Sequence, residues 1–206
     1  MNQNEVWDNI ASSWYNLRKK PFSEVLEFLN NKNGIILDIG CGTGRHFIKN
    51  KNLVGIDSSL NMLKLAKKYI FKNNLNVKLV LCDASSLPFK DNTFNFIIFI
   101  ATLHCIEKEK REMCIQELKR VMKNNGEAMI TVWNRWQPRF FLKKKDIYVP
   151  WRVENKKFMR YYHLFTKSEF KKLLKKYFDD ITVFYGKEKV FKLFSKNIIS
   201  IIKKRG

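Results

Sequence analysis

The four cysteines (Cys41, Cys82, Cys105 and Cys114) include no CxxC pair, and three of them stand in apolar surroundings. The chain therefore reads as one with reduced, mostly buried thiols in a cytoplasmic protein, and no zinc or other metal site is expected. Long apolar runs are missing too. None reaches the roughly 18 residues that a membrane span needs. The first stretch, MNQNEVWDNIASSWYN, has neither a basic n-region nor an apolar h-region, so no secretory signal is expected. Internal repeats and low-complexity linkers are absent, and 206 residues predict a single domain, 1–206, large enough for a real core. Acidic residues are scarce: 19 against 40 Lys and Arg, a net charge of +21. An AT-rich genome would enrich Lys, Asn, Ile and Phe together, but it would not remove acids. A chain this basic attracts polyanions, of which nucleic acid is the commonest.

What is present is an alternation of helix and strand. Apolar positions Val6, Ile10, Trp14 and Leu17 recur at helical spacing, and PFSEVLEFLNN predicts a second helix with Pro21 near its start, so that residues 1–31 form an N-terminal helical pair. GIILDIG, LVGID, NVKLVLCD, FNFIIFIATLH and EAMITVW predict five strands. Helices are predicted over NMLKLAKKYIFKN and over KEKREMCIQELKRVMKNNG, the latter closed by Gly126. Residues 135–165 read as irregular. Thr166, with Glu169 three residues on, predicts a capping box opening TKSEFKKLLKKYF. DDITVFYG and KVFKLFSK predict a terminal antiparallel hairpin. Strands that are continuous apolar runs, alternating with helices, indicate a doubly wound, mostly parallel α/β sheet covered on both faces. Ligands of such sheets bind beyond the carboxyl ends of the strands.

The residues at those ends form an ordered set. LDIGCGTGRHF follows the first strand with Asp38, Gly40, Gly42 and Gly44, VGIDSS follows the second with Asp57, and CDASSLPF follows the third with Asp83. Glycines at this spacing allow a sharp turn and close approach to a ligand. A carboxylate at the offset of Asp57 suits a pair of ribose hydroxyls. The dinucleotide pattern G-x-G-x-x-G fails because Arg45 takes the last glycine position, which argues against NAD or FAD, and no phosphate-cradling P-loop is present. The remaining pattern, an acid two residues before a tight glycine triplet with acids ending the next two strands, resembles the class I S-adenosylmethionine-dependent methyltransferases over nearly the whole chain. The resemblance implies that S-adenosylmethionine is the cofactor. It assigns Asp38, Gly40, Gly42 and Gly44 to its methionine part, Asp57 to the ribose, and Asp83 and Ala84 to the adenine.

Fold does not give substrate. Four stretches outside the helical stripes combine Arg, Lys, Trp, Tyr and His: WYNLRKKPF (14–22), IATLHC (100–105), VWNRWQPRF (132–140) and VPW with RYYHLF (149–151 and 160–165). Stacking rings interleaved with phosphate-pairing cations suit unstacked RNA nucleotides. WDNIASSWYNLRKKPFSEVLEFL, SLPFKDNTFNFIIFIATLHCIEKEKR, AMITVWNRWQ and RYYHLFTKSEF, in that order, resemble the eukaryotic and archaeal tRNA methyltransferases that esterify 5-carboxymethyluridine at the wobble position. That resemblance implies 5-methoxycarbonylmethyluridine as product and the anticodon loop of tRNA as partner. It also implies a small zinc-binding activator protein along the strand at 77–83, which is expected to be a sheet edge. Within it, Arg18 and Lys19 are candidates for the substrate carboxylate or phosphates, Arg160 and His163 for the uridine or its backbone, and Trp133, Tyr161 and Tyr162 for stacking. His104 ends the fourth strand. Residues 135–165 would be a substrate-facing insertion. The sequence departs from the family at Cys105, where a second histidine is expected, at Asn95, at KNNG, and in NIISIIKKRG, about ten residues beyond the expected end. The alternative is a methyltransferase acting on a small molecule, since DASSLPF is shared widely. A silent RNA-binding subunit would predict damage to the glycine loop, which is intact. One short apolar turn with three basic residues at the tail does not predict stable membrane association.

Overall fold

The computed structural model describes residues 1–187 and 192–205. Two N-terminal helices, α1 (Gln3–Leu17) and α2 (Ser23–Leu29), precede β1 (Ile35–Ile39), β2 (Asn52–Asp57), α3 (Leu60–Lys72), β3 (Val77–Leu81), β4 (Phe94–Ile100), α4 (Lys108–Val121) and β5 (Met122–Trp133). Then come β6 (Asp146–Val153), β7 (Lys156–His163), α5 (Lys167–Lys175), β8 (Asp180–Tyr185) and β9 (Asn197–Lys203). Seven strands form one sheet in the order β3-β2-β1-β4-β5-β9-β8, with only β9 antiparallel to its neighbours. The doubly wound sheet and its antiparallel C-terminal end agree with the sequence reading.

Strand alternation splits the core between two layers. Leu37, Ile97, Phe99, Ile130 and Ile198 pack toward α4 and α5, against Ile115, Leu118, Phe170 and Leu174. Ile36, Ile98, Met129 and Ile199 face α2 and α3, against Val25, Leu29, Leu63 and Ala66. Each fully buried Leu or Ile contributes about 1.5–3 kcal/mol, which is why these strands read as unbroken apolar runs. Asn95, a departure from the family pattern, accepts a hydrogen bond from the Ile35 amide at 3.1 Å and so ties the start of β1 to β4.

Four expectations are corrected. The stretch 135–165 is not irregular: β6 and β7 form a separate two-stranded antiparallel hairpin. Its inner face packs on α1 through Phe158, Trp151 and Val153 against Val6, Ile10 and Trp14. Leu17, placed in the helical stripe by its spacing, is exposed beyond that contact. Helix α4 ends at Val121, not at Gly126, because β5 starts at once; the turn is made at Asn125, with φ +60°. Finally, the stretch NIISIIK is no appendage. It is β9, inserted between β5 and β8, and it replaces KVFKLFSK as the second strand of the terminal hairpin. Residues 189–191 of KVFKLFSK lie outside the described residues, and 192–194 form a single 3₁₀ turn. Thr166 does cap α5, accepting from the Glu169 amide at 3.2 Å. The Glu169 carboxylate turns instead to His163 and Lys145, so the capping box is half made. Among the described residues, no helix is long and apolar enough to cross a membrane.

Candidate active site

The carboxyl ends of β1, β2, β4 and β5, the hairpin and the α1–α2 segment enclose a cavity of about 970 Å³. One end is built by the glycine loop. Gly40 adopts φ +67°, and a Cβ there would lie 2.4 Å from the Thr102 side chain, so loop and β4 end touch. Gly42, at φ +56°, has nothing within 4 Å of where a Cβ would be: it faces open space in the cavity. Its amide donates to Asp57 Oδ2 at 2.8 Å, and the Ser59 amide donates to Asp57 Oδ1 at 2.9 Å. Burial nevertheless raises the Asp57 carboxyl to about 6.

Asp38, near the end of β1 just before the loop, is fully enclosed and does not itself line the cavity, and its Oδ2 has no hydrogen-bond partner. Burial pushes its carboxyl well up, against the pull of nearby Arg45. Asp83 accepts from Ser85 twice, at 2.9 Å (N) and 2.8 Å (Oγ), and from Lys110 at 2.8 Å. Burial opposes its ionisation, but these bonds outweigh it and hold the carboxyl below its usual range. Ala84 lines the cavity beside it. An orphaned buried carboxylate oxygen, a glycine facing open space and a carboxylate at the ribose offset fit S-adenosylmethionine, a ligand with a cationic centre and a diol.

The other end is aromatic. His104, Trp133 and Tyr162 stack with Trp133 and Tyr162 centroids 4.1 Å apart at 10°, and His104 5.2 Å from Trp133. The guanidinium of Arg139 lies 4.6 Å over Trp133, and that of Arg18 lies 5.4 Å over Trp14. The Trp133 amide donates to His104 Nδ1 at 3.3 Å, which leaves the ring proton on Nε2. Burial lowers His104 to about 3, so the ring is neutral. Burial also pushes the Cys105 thiol and the Tyr162 hydroxyl up, and both stay protonated.

Of the expected substrate residues, Arg18, His104, Trp133 and Tyr162 line the cavity, and four do not. Lys19 lines a small adjoining cleft with Tyr15 and Tyr69, which shares Arg18, Thr43 and Arg45 with the cavity. Strand alternation divides RYYH between two faces. Arg160, on the inner face, sits behind Tyr162, donating to its Oη at 2.7 Å and stacking 4.6 Å over Trp151. Tyr161 and His163 point the other way. His163 bridges Asp146 at 2.8 Å and Glu169 at 3.1 Å, while the Tyr161 hydroxyl donates to Asp146 and accepts from Arg111. These two hold the hairpin to α4 and α5.

Arg45, His46 and Arg139 are among the lining residues that sequence reading missed. Arg45 stacks 4.5 Å over Phe22, and burial lowers it to about 10. His46 is buried with Nε2 unpartnered. Arg139 lies within VWNRWQPRF, where composition alone did not distinguish it from Arg135. The only signal for Arg45 was its place where a dinucleotide fold has glycine.

Residues 36–126 match the Methyltransferase domain family. The tRNA (carboxymethyluridine(34)-5-O)-methyltransferase of Schizosaccharomyces pombe is 30% identical over 200 residues, covering 82% of this chain and 85% of that protein. The chain belongs to the class I S-adenosylmethionine-dependent methyltransferases, in the sequence family that includes that enzyme. Probable tRNA methyltransferase 9B of Mus musculus is 32% identical over 151 residues, and the chain spans 32% of its length. Among solved structures, the PH0226 protein of Pyrococcus horikoshii superposes with a TM-score of 0.72 at 24% identity, covering 97% of this chain and 95% of that one. The CcbJ methyltransferase of Streptomyces caelestis superposes with a TM-score of 0.76 at 14% identity over the whole of both chains. These two likenesses show that the fold is shared at low identity.

Proposed function

We propose that this methyltransferase acts on tRNA and esterifies the carboxylate of 5-carboxymethyluridine at the wobble position. The observation that carries this reading is the weakness of the bases in the aromatic stack: burial lowers His104 to about 3, so it takes up a proton poorly, and keeps Cys105 and Tyr162 protonated. An amine or hydroxyl acceptor has to lose a proton to be methylated, whereas a carboxylate, with a solution pKa of about 4, is ionised at neutral pH. When bound, S-adenosylmethionine supplies an electrophilic methyl group. The chain's own residues then have to align and exclude water, which can contribute several kcal/mol. In this reading the Trp133–Tyr162 stack forms a flat wall beside the uracil, His104 Nε2–H donates to it, and Arg18 and Arg139 neutralise the carboxylate and adjoining phosphates. Asp57 takes the ribose hydroxyls, the glycine loop with Asp38 the methionine part, and Asp83 with Ala84 the adenine. The sequence relatives named as tRNA methyltransferases support the acceptor class.

The proposed activator fits the same picture. Strand β3 is a terminal strand of the sheet, and Leu81 on it is half exposed, as a strand awaiting a partner would be. The test supplies labelled-methyl S-adenosylmethionine and tRNA bearing 5-carboxymethyluridine, with and without a candidate activator, followed by mild alkali. Label released as methanol is the expected result. Label that stays on the RNA overturns the ester and keeps RNA methylation. No label, with cofactor binding shown, moves the assignment to a small-molecule acceptor.

A further inference from the structure

The β6–β7 hairpin has a second face that the cavity does not use. Its inner residues pack on α1, but the residues between them point outward. The register places Tyr148 opposite Tyr161, Pro150 opposite Met159 and Arg152 opposite Lys157, all on that outer face. Tyr148 is 61% exposed and Met159 37%, and Pro150, Arg152 and Lys157 are exposed as well. Tyr148, Pro150 and Met159 are neighbours on that face, and contiguous exposed apolar groups rimmed by polar residues mark interaction sites. Two like charges directly opposite one another in an antiparallel pair are destabilising, and an anion between them would remove the repulsion. The carboxylate on this face, Asp146, is already engaged by Tyr161, His163 and Arg111. The basic run Lys143–Lys145 leads directly into β6, all three residues exposed.

We propose that this outer face is a second RNA-contact surface, on which a loop nucleotide of the substrate stacks on Tyr148 while Arg152 and Lys157 pair the flanking phosphates. Aromatic side chains on an open sheet, edged by cations, grip unpaired nucleotides without reading sequence. Phosphate-pairing cations alone would not call for exposed Tyr and Met, and an apolar protein partner would not call for facing Arg and Lys. The proposal rests on the tRNA reading and extends it. The target base enters the cavity along the inner face, lined by Tyr162, and the neighbouring strand of RNA crosses the same two-stranded ribbon on its outside.

The experiment measures binding of full-length tRNA and of a single-stranded oligoribonucleotide to the intact chain, to Tyr148→Ala and to Arg152→Glu/Lys157→Glu. Cofactor affinity and melting temperature serve as folding controls. Tyr148→Ala is expected to weaken both RNAs about tenfold, the loss of one stacked base. The double charge reversal is expected to weaken them further and, by removing two single-strand phosphate contacts, to flatten the slope of log Kd against log salt by about 1.4. Wild-type RNA affinity and salt slope in both folded variants would overturn the proposal, and would leave the face to a protein partner. If tRNA bearing 5-carboxymethyluridine is not methylated but the variants still lose RNA affinity, the surface stands and the ester falls. If it is methylated and the variants bind RNA normally, the ester stands and the surface falls.

Discussion

At the cofactor end of the cavity the polar groups are backbone amides and carboxylates fixed by the ends of parallel strands. At the acceptor end they are guanidinium groups and rings set by packing between segments far apart in sequence. Asp57 shows the first kind: two amides within 2.9 Å hold it, both from residues in or beside the turns that follow β1 and β2. Tyr162 shows the second: its position depends on Trp133 from β5, His104 from the β4 end and Arg160 from its own strand. The first end presents groups that a cationic nucleoside can satisfy. The second presents flat surfaces and positive charge, with its titratable groups kept neutral. The two ends should therefore fail separately when perturbed.

The largest separation is expected from Asp57→Ala. Removing hydrogen bonds to a charged group costs about 1.5–3 kcal/mol each, so loss of the two that ribose hydroxyls would make should raise the Kd for S-adenosylmethionine roughly 100-fold or more. RNA affinity should not change. Calorimetry for the cofactor and filter binding for the RNA would check both halves, and a parallel loss of RNA binding would mean the two ends are one unit. Arg160→Ala attacks the other end. It leaves the Tyr162 hydroxyl without its donor and opens space beside Trp151, so the stack should shift. A misplacement of about 1 Å can lower turnover about 100-fold, here with S-adenosylmethionine affinity unchanged. If cofactor affinity falls instead, the hairpin supports the glycine loop and the contrast is wrong.

The smallest effect is one of pH. Ribose hydroxyls donate to the ionised form of Asp57, so cofactor binding draws the proton off. With the free carboxyl raised to about 6, affinity should be full above that pH and fall about tenfold per unit below it. A flat profile between pH 5 and 7, each pH being about one unit from that value, would remove Asp57 from the ribose site.

The cofactor end was legible because its requirements are local. Glycines at positive φ and acids at strand ends follow from backbone geometry, and the strands between them are buried on both faces. The acceptor end was legible only in composition. RYYH was read as a single wall, yet a strand sends neighbours to opposite faces, and without knowing that 156–163 is a strand no reading could separate Tyr162 from Tyr161. Pro150 within β6, and charged Arg160 on the buried face of β7, hid the alternation that would have revealed the hairpin. The resemblance itself misled at the tail. Treating NIISIIK as an extension set aside its Ile198 and Ile199, which face opposite core layers as a central strand requires.

That strand also dictates when the sheet can be completed. Translation delivers β1 to β5 first, and with them every carboxylate assigned to the cofactor. The edge of β5 nevertheless stays open while the hairpin, α5 and β8 emerge, because its partner comprises residues 197–203. Strand β8 has no place in the sheet until then, since it joins only through β9. A nascent chain thus carries the cofactor strands in order but an unclosed sheet, with an apolar edge for chaperones to cover. Closure is a single late event in which the newest segment slots between two older ones.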